Sequence, residues 1–122
     1  MPIDLADCRI LLVEDEAIIA LAIEDMLREL GCEVVGPGFT REAAERLAAE
    51  EQLDAAVLDL NLGGDSSKAV ADLLRARNIP FCFSTGYGSA EIPEGFDGVP
   101  LLQKPYAADN LGAVLQRLIS RR

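Results

Sequence analysis

The chain reads as an α/β domain built on a parallel sheet covered on both faces. Three observations lead there. Short aliphatic runs lack polar alternation, as in strands buried on both sides. Longer stretches between them repeat apolar residues with a helical period. The two kinds of segment alternate from end to end, and right-handed crossovers leave few ways to connect them.

Arg9–Val13 is the first run and stops abruptly at Glu14-Asp15-Glu16. From Ala17 to Leu30, the residues Ile19, Ile23, Met26, Leu27 and Leu30 form one stripe, and Gly31 stands where a left-handed residue closes a helix. Glu33 to Gly36 is a second, shorter strand, ended by the turn-forming Gly36-Pro37-Gly38. Thr40 caps a helix through Glu50, with Ala43, Ala44, Leu47 and Ala48 as its packing face. Asp54 to Leu58 is the third strand and again meets a carboxylate, Asp59. Ser66 or Ser67 opens the next helix, with Val70, Leu73 and Leu74 inward. Pro80 to Ser84 is the fourth strand, followed by Thr85. Between Gly86 and Pro100 lie repeated glycines and prolines, so any helix near Ser89 to Glu94 is short or irregular. Val99 to Gln103 is a fifth strand, with Pro100 tolerated at the start of an edge strand. Leu111, Val114, Leu115, Leu118 and Ile119 mark a last helix from Asp109 to Arg121.

At 122 residues the chain makes one domain, residues 1–122. Its 11 Lys and Arg against 21 Asp and Glu give a net charge of -10, which disfavours direct nucleic-acid binding. Histidine is absent, which removes Ser-His-Asp and Cys-His catalysis and most zinc sites. It also means that the chain carries no phosphohistidine of its own. Cys8, Cys32 and Cys82 have no metal-type spacing and read as reduced, mostly buried thiols. The start, Met1-Pro2-Ile3-Asp4, has no basic n-region, and no apolar run approaches about 18 residues. The expectation is a cytoplasmic protein without a membrane segment.

In open α/β sheets, ligands bind beyond the carboxyl ends of the strands. Here those ends carry Glu14 and Asp15, Asp59, Ser84 and Thr85, and Lys104. If the first and third strands are neighbours, three carboxylates converge. Two such charges about 5 Å apart repel by roughly 3 kcal/mol at an effective dielectric near 20. The cluster therefore takes up protons or binds a cation. Oxygen ligands alone select a hard ion, and Mg²⁺ suits carboxylates completed by water and a phosphate. Lys104, with Lys68 one of two lysines, could neutralise one oxygen of a transferred phosphoryl group, and Thr85 could hydrogen-bond another. Singly, each residue has a plainer role: Asp59 as a helix cap, Lys104 as a solvated loop residue, Thr85 in a turn. Their joint order at the strand ends favours a site.

Leu12-Val13-Glu14-Asp15-Glu16, Leu58-Asp59-Leu60-Asn61, Thr85 and Lys104-Pro105 together resemble the response-regulator receiver domain of two-component signalling, across essentially the whole chain. The resemblance implies a doubly wound five-stranded sheet in the flavodoxin-like order 2-1-3-4-5. It implies Mg²⁺-dependent phosphoryl transfer from a histidine kinase or phosphotransfer protein onto Asp59. Asp15 and Asp59 would ligate Mg²⁺ directly, Glu14 through water, and Asn61 through its backbone carbonyl. Lys104 and Thr85 would hold phosphoryl oxygens. No turnover of an external substrate is implied. Output would run through contacts with another protein, and homodimerisation on activation is a family trait.

The departures are specific. Leu62-Gly63-Gly64 stands where receivers usually have Met-Pro, which predicts a looser loop. Leu101 occupies the position of a customary switch aromatic, three residues before Lys104. The segment Pro80-Phe81-Cys82-Phe83-Ser84-Thr85-Gly86-Tyr87-Gly88 is similar to an atypical receiver group with a Phe-Ala-Thr-Gly-type motif, making Tyr87 the replacement switch candidate.

Rival readings fare less well. An aspartate-based phosphatase of the haloacid-dehalogenase type needs a second Asp two residues after its nucleophile, and Asn61 cannot donate a proton. No nucleotide-binding glycine motif follows a strand. A receiver-shaped interaction module that is never phosphorylated, or the terminal receiver of a hybrid kinase, remain as alternatives. Met1 and the charged Ser120-Arg121-Arg122 end favour a stand-alone chain.

Overall fold

The computed structural model describes residues 4–86 and 92–120. Strands β1 (Arg9–Val13), β2 (Glu33–Gly38), β3 (Ala55–Asp59), β4 (Phe81–Thr85) and β5 (Leu101–Gln103) form one parallel sheet in the order β2-β1-β3-β4-β5. Among the described residues there are four helices: α1 (Ala17–Glu29), α2 (Arg41–Glu50), α3 (Lys68–Ala76) and α4 (Ala108–Ser120). The order is the flavodoxin-like 2-1-3-4-5.

Two apolar layers sandwich the sheet. Leu11, Val13, Leu58 and Phe83 meet Ala44, Ala48, Val70 and Leu74 of α2 and α3. Ile10, Leu12, Val57 and Cys82 meet Ile23, Leu27, Leu111 and Leu115 of α1 and α4. Successive residues of β1 serve opposite layers, so both sets must be apolar. This is why the central strands show no polar alternation.

Helix ends follow the sequence closely. Gly31 takes a φ of 90° just past α1. The Thr40 hydroxyl accepts the Ala43 N–H at 3.1 Å, capping α2. At α3 the two serines divide the work: Ser67 holds the cap position, while the Ser66 hydroxyl accepts the Lys68 N–H at 3.1 Å. The fifth strand begins at Leu101 rather than Val99; Pro100 lies just before it and accepts the Phe83 N–H at 2.9 Å.

One expected turn is absent. Gly36-Pro37-Gly38 continues β2, and the register with β1 shifts between Leu11 and Val13. Gly36 has a φ of 103°, and a Cβ there would stand 2.9 Å from the Leu12 carbonyl oxygen. Only glycine lets the strand bulge this closely past its neighbour. Pairing resumes at Gly38, whose carbonyl accepts the Glu14 N–H at 3.1 Å. The bulge thus carries β2 far enough to support the end of β1.

After β4, the described residues 92–100 form turns rather than a helix. Phe96 anchors them, buried against Phe81 and Phe83 with Arg75 stacked 3.9 Å over its ring. Tyr87 and the start of the expected short helix lie outside the described residues.

Candidate functional site

The register puts the ends of β1 and β3 side by side, with Val13 opposite Leu58. The next residues, Glu14-Asp15 and Asp59, therefore meet. Glu14, Asp15 and Asp59 each offer a carboxylate oxygen, and these lie within 4.8 Å of one another. Glu14 and Asp59 are buried and Asp15 is half-buried.

Lys104 reaches in from the end of β5. Its Nζ donates to Glu14 at 3.0 and 3.3 Å and to Asp59 Oδ2 at 3.4 Å. The approach is fixed at the backbone, where the Lys104 N–H donates to the Thr85 carbonyl at 2.7 Å. Thr85 itself is buried at the end of β4. Asn61 donates its backbone N–H to Asp59 Oδ1 at 3.2 Å.

Electrostatics at the cluster follow from desolvation. Burial, then the hydrogen bond shared with Asp59, push the Glu14 carboxyl up to about 8, against the opposing pull of Lys104. Burial alone would lower the Lys104 ammonium, but its hydrogen bond to Glu14 and the charge of Asp59 outweigh it and raise its pKa. One ammonium faces three carboxyl groups whose oxygens converge within 4.8 Å. A divalent cation bound to their oxygens would supply the remaining positive charge, so the donor set fits a hard ion.

The loop after Asp59 is tied down rather than loosened. Asn61–Leu62 pairs antiparallel with Asp65–Ser66 across the Gly63-Gly64 turn. Both glycines have positive φ, 61° and 97°, as a two-residue hairpin turn of this hand requires. The Asn61 side chain accepts the Gly64 N–H at 2.8 Å, and the Gly63 N–H donates to Asp15 Oδ2 at 2.9 Å. The hairpin thus holds one of the three carboxylates. Composition alone marks Gly-Gly as flexible; the Gly-Gly pair flanked by Asn61-Leu62 and Asp65-Ser66 was the readable signal.

Leu101, at the position of the customary switch aromatic, is exposed on β5. Among the described residues, no helix is long and apolar enough to cross a membrane.

This sheet order, with a carboxylate trio faced by a lysine at the strand ends, defines the receiver class of signalling domain, and the chain belongs to the response-regulator receiver domains. These are signalling modules rather than turnover enzymes. The solution structure of SdrG from Sphingomonas melonis Fr1 is 40% identical, with a TM-score of 0.83, covering 93% of this chain and 97% of that one. The receiver domain of the sensor histidine kinase PA1611 from Pseudomonas aeruginosa PAO1, solved with a magnesium ion coordinated in its active-site cleft, is 28% identical. Its TM-score is 0.78, covering 94% of this chain and 99% of that one. The phyllosphere-induced regulator PhyR of Methylorubrum extorquens is 34% identical over 119 residues, covering 90% of this chain and 43% of PhyR. The chain spans about half the length of the curated relatives it matches. No family model matches it.

Proposed function

We propose that residues 1–122 act as a phosphoacceptor signalling domain, in which Asp59 receives a phosphoryl group from the phosphohistidine of a kinase or phosphotransfer protein. The observation that carries this reading is the carboxylate cluster faced by Lys104 at the carboxyl ends of the sheet. A carboxylate oxygen of Asp59 attacks phosphorus as the donor's P–N bond breaks, leaving an acyl phosphate and, because the donor ring carries a proton on its other nitrogen, a neutral imidazole. Asp15 and Asp59 would hold Mg²⁺ directly, with Glu14 acting through water and Asn61 through its carbonyl. When bound, Mg²⁺ offsets the charge of the phosphoryl oxygens. The chain's own residues do the rest. Lys104 Nζ leaves its carboxylate partners to meet one phosphoryl oxygen, and the Thr85 hydroxyl meets another. The absence of histidine fits a phosphohistidine donor on another protein.

The SdrG relative has a BeF3-activated conformation, 39% identical to this chain with a TM-score of 0.77, which supports an activatable domain here. The Phe81-Cys82-Phe83-Ser84-Thr85-Gly86 segment supports membership of the atypical group, with Tyr87 as switch element. Output would be an altered protein contact in the cytoplasm, with homodimerisation one form it can take.

The test is incubation with Mg²⁺ and a small-molecule phosphodonor, followed by intact-mass spectrometry. One added phosphoryl group is expected, and none on Asp59→Asn. Absence of any adduct would leave a receiver-shaped binding module. Continuous phosphate release would point to a phosphatase instead.

A further inference from the structure

At the amino end of the sheet, away from the carboxylates, Cys8 and Cys32 immediately precede the paired strands β1 and β2. Arg9 pairs with Glu33 in the parallel register, and the Glu33 N–H donates to the Cys8 carbonyl at 2.8 Å. Carrying that register back by one residue sets Cys8 beside Cys32. Both cysteines pack with the layer of Ile10, Leu12 and Leu27. Neighbouring strands lie about 4.8 Å apart, inside the roughly 4.4–6.8 Å between Cα atoms that a disulfide spans.

We propose that Cys8 and Cys32 form a reversible thiol–disulfide site, oxidised by a hydroperoxide and restored by a dithiol reductant. Two further observations support the pair. Each cysteine follows a residue in the left-handed region, Asp7 at φ 64° and Gly31 at φ 90°. The Asp7 N–H donates to the Gly31 carbonyl at 2.9 Å, so the two entry turns are fastened together and bring the cysteines into register. Second, the thiols are close enough to sense each other's charge: Cys32 is pushed up to about 11, first by burial and then by Cys8.

The chemistry has an order set by access. Cys8 is half-buried and Cys32 buried, so the oxidant reaches the Cys8 thiol first. It attacks one peroxide oxygen, the O–O bond breaks, and Cys8 becomes a sulfenic acid while the departing hydroxide takes a proton to become water. The Cys32 sulfur then attacks the Cys8 sulfur, expelling a second water and closing the disulfide. In sum, two thiols and one hydrogen peroxide give one disulfide and two waters. The bridge would close a loop that contains Glu14, Asp15 and all of α1. Cys82 is fully buried in the same layer and serves as the internal control.

Full-length protein treated with hydrogen peroxide, blocked with N-ethylmaleimide under denaturing conditions and digested should yield one Cys8–Cys32 linked peptide. It should also show a 2 Da loss in intact mass by the disulfide stoichiometry, with Cys82 still alkylated and the mass restored by dithiothreitol. Cys8→Ser and Cys32→Ala should each abolish the loss, with folding checked by circular dichroism. Oxidation that stops at sulfinic acid on Cys8, a Cys8–Cys8 dimer, or a link to Cys82 would each overturn the proposal. Should either variant fail to fold, the peptide map of the unaltered chain decides alone.

Discussion

The two ends of the sheet carry the same charge motif in different solvents. At the amino end, Arg9 lies between Glu33 and Glu51, with its Nε donating to the Gln52 carbonyl at 2.7 Å. At the carboxyl end, Lys104 lies between Glu14 and Asp59. The Arg9 side chain is 34% exposed and its partners 56% and 40%, whereas the Lys104 side chain is 12% exposed and its partners 1% and 8%. Water screens the first group into a modest clamp on the strand ends. The second is largely cut off from water, and that burial raises the Glu14 carboxyl. Burial, not the inventory of charges, separates the solvated network from the candidate site.

The largest effect should come from Asp59→Asn, which removes the only proposed acceptor oxygen. The phosphoryl adduct should vanish from the mass spectrum while the fold, followed by circular dichroism, survives. An adduct of unchanged size would break the comparison at once.

Next is Lys104→Ala. Leaving buried carboxylates without their partner should destabilise the protein by about 1–3 kcal/mol in urea titrations. Mg²⁺ affinity should not weaken, because a competing cation has been removed. The conformational response to phosphorylation, read in amide NMR spectra, should be lost. A collapse of metal affinity would show that Lys104 builds the metal site rather than serving the phosphoryl group.

A subtler asymmetry is in pH dependence. Folded Glu14 keeps its proton up to about 8, whereas an ordinary glutamate releases it near 4.5. Between those values the folded state binds more protons than the unfolded one. Stability without divalent cations should therefore fall as pH rises through this window. In Glu14→Gln the Glu14 contribution to that slope should disappear from thermal melts taken across it. An unchanged slope would place the anomalous proton elsewhere.

The smallest effect belongs to Arg9→Ala. Its half-exposed pairs should cost at most about 1 kcal/mol, and less in high salt. A larger loss would mean that the amino end is less solvated than its exposure indicates.

Much of this was legible from residues alone. The aliphatic runs around Leu11, Val57 and Phe83, the stripe of α1, the Thr40 cap and Gly31 all encode their structure within a few neighbours. So did the candidate site, because parallel strands put every post-strand residue at one edge. Where reading failed, the controlling contact was distant in sequence. Gly36-Pro37-Gly38 looks like a turn until the carbonyl of Leu12 lies against it. Gly63-Gly64 looks loose until Asp15, 48 residues earlier, accepts its hydrogen bond.

The sequence by itself determined the alternation of strand and helix, the two-sided burial of the central strands, and which carboxylates, hydroxyl and lysine stand at their ends. Periodicity and chain direction suffice for that. Only the tertiary structure decided that burial raises the Glu14 carboxyl, that Lys104 reaches both Glu14 and Asp59, that a hairpin grips Asp15, and that cross-strand register carries Cys8 toward Cys32. These depend on desolvation and on cross-strand register, and neither exists until separate segments have packed together.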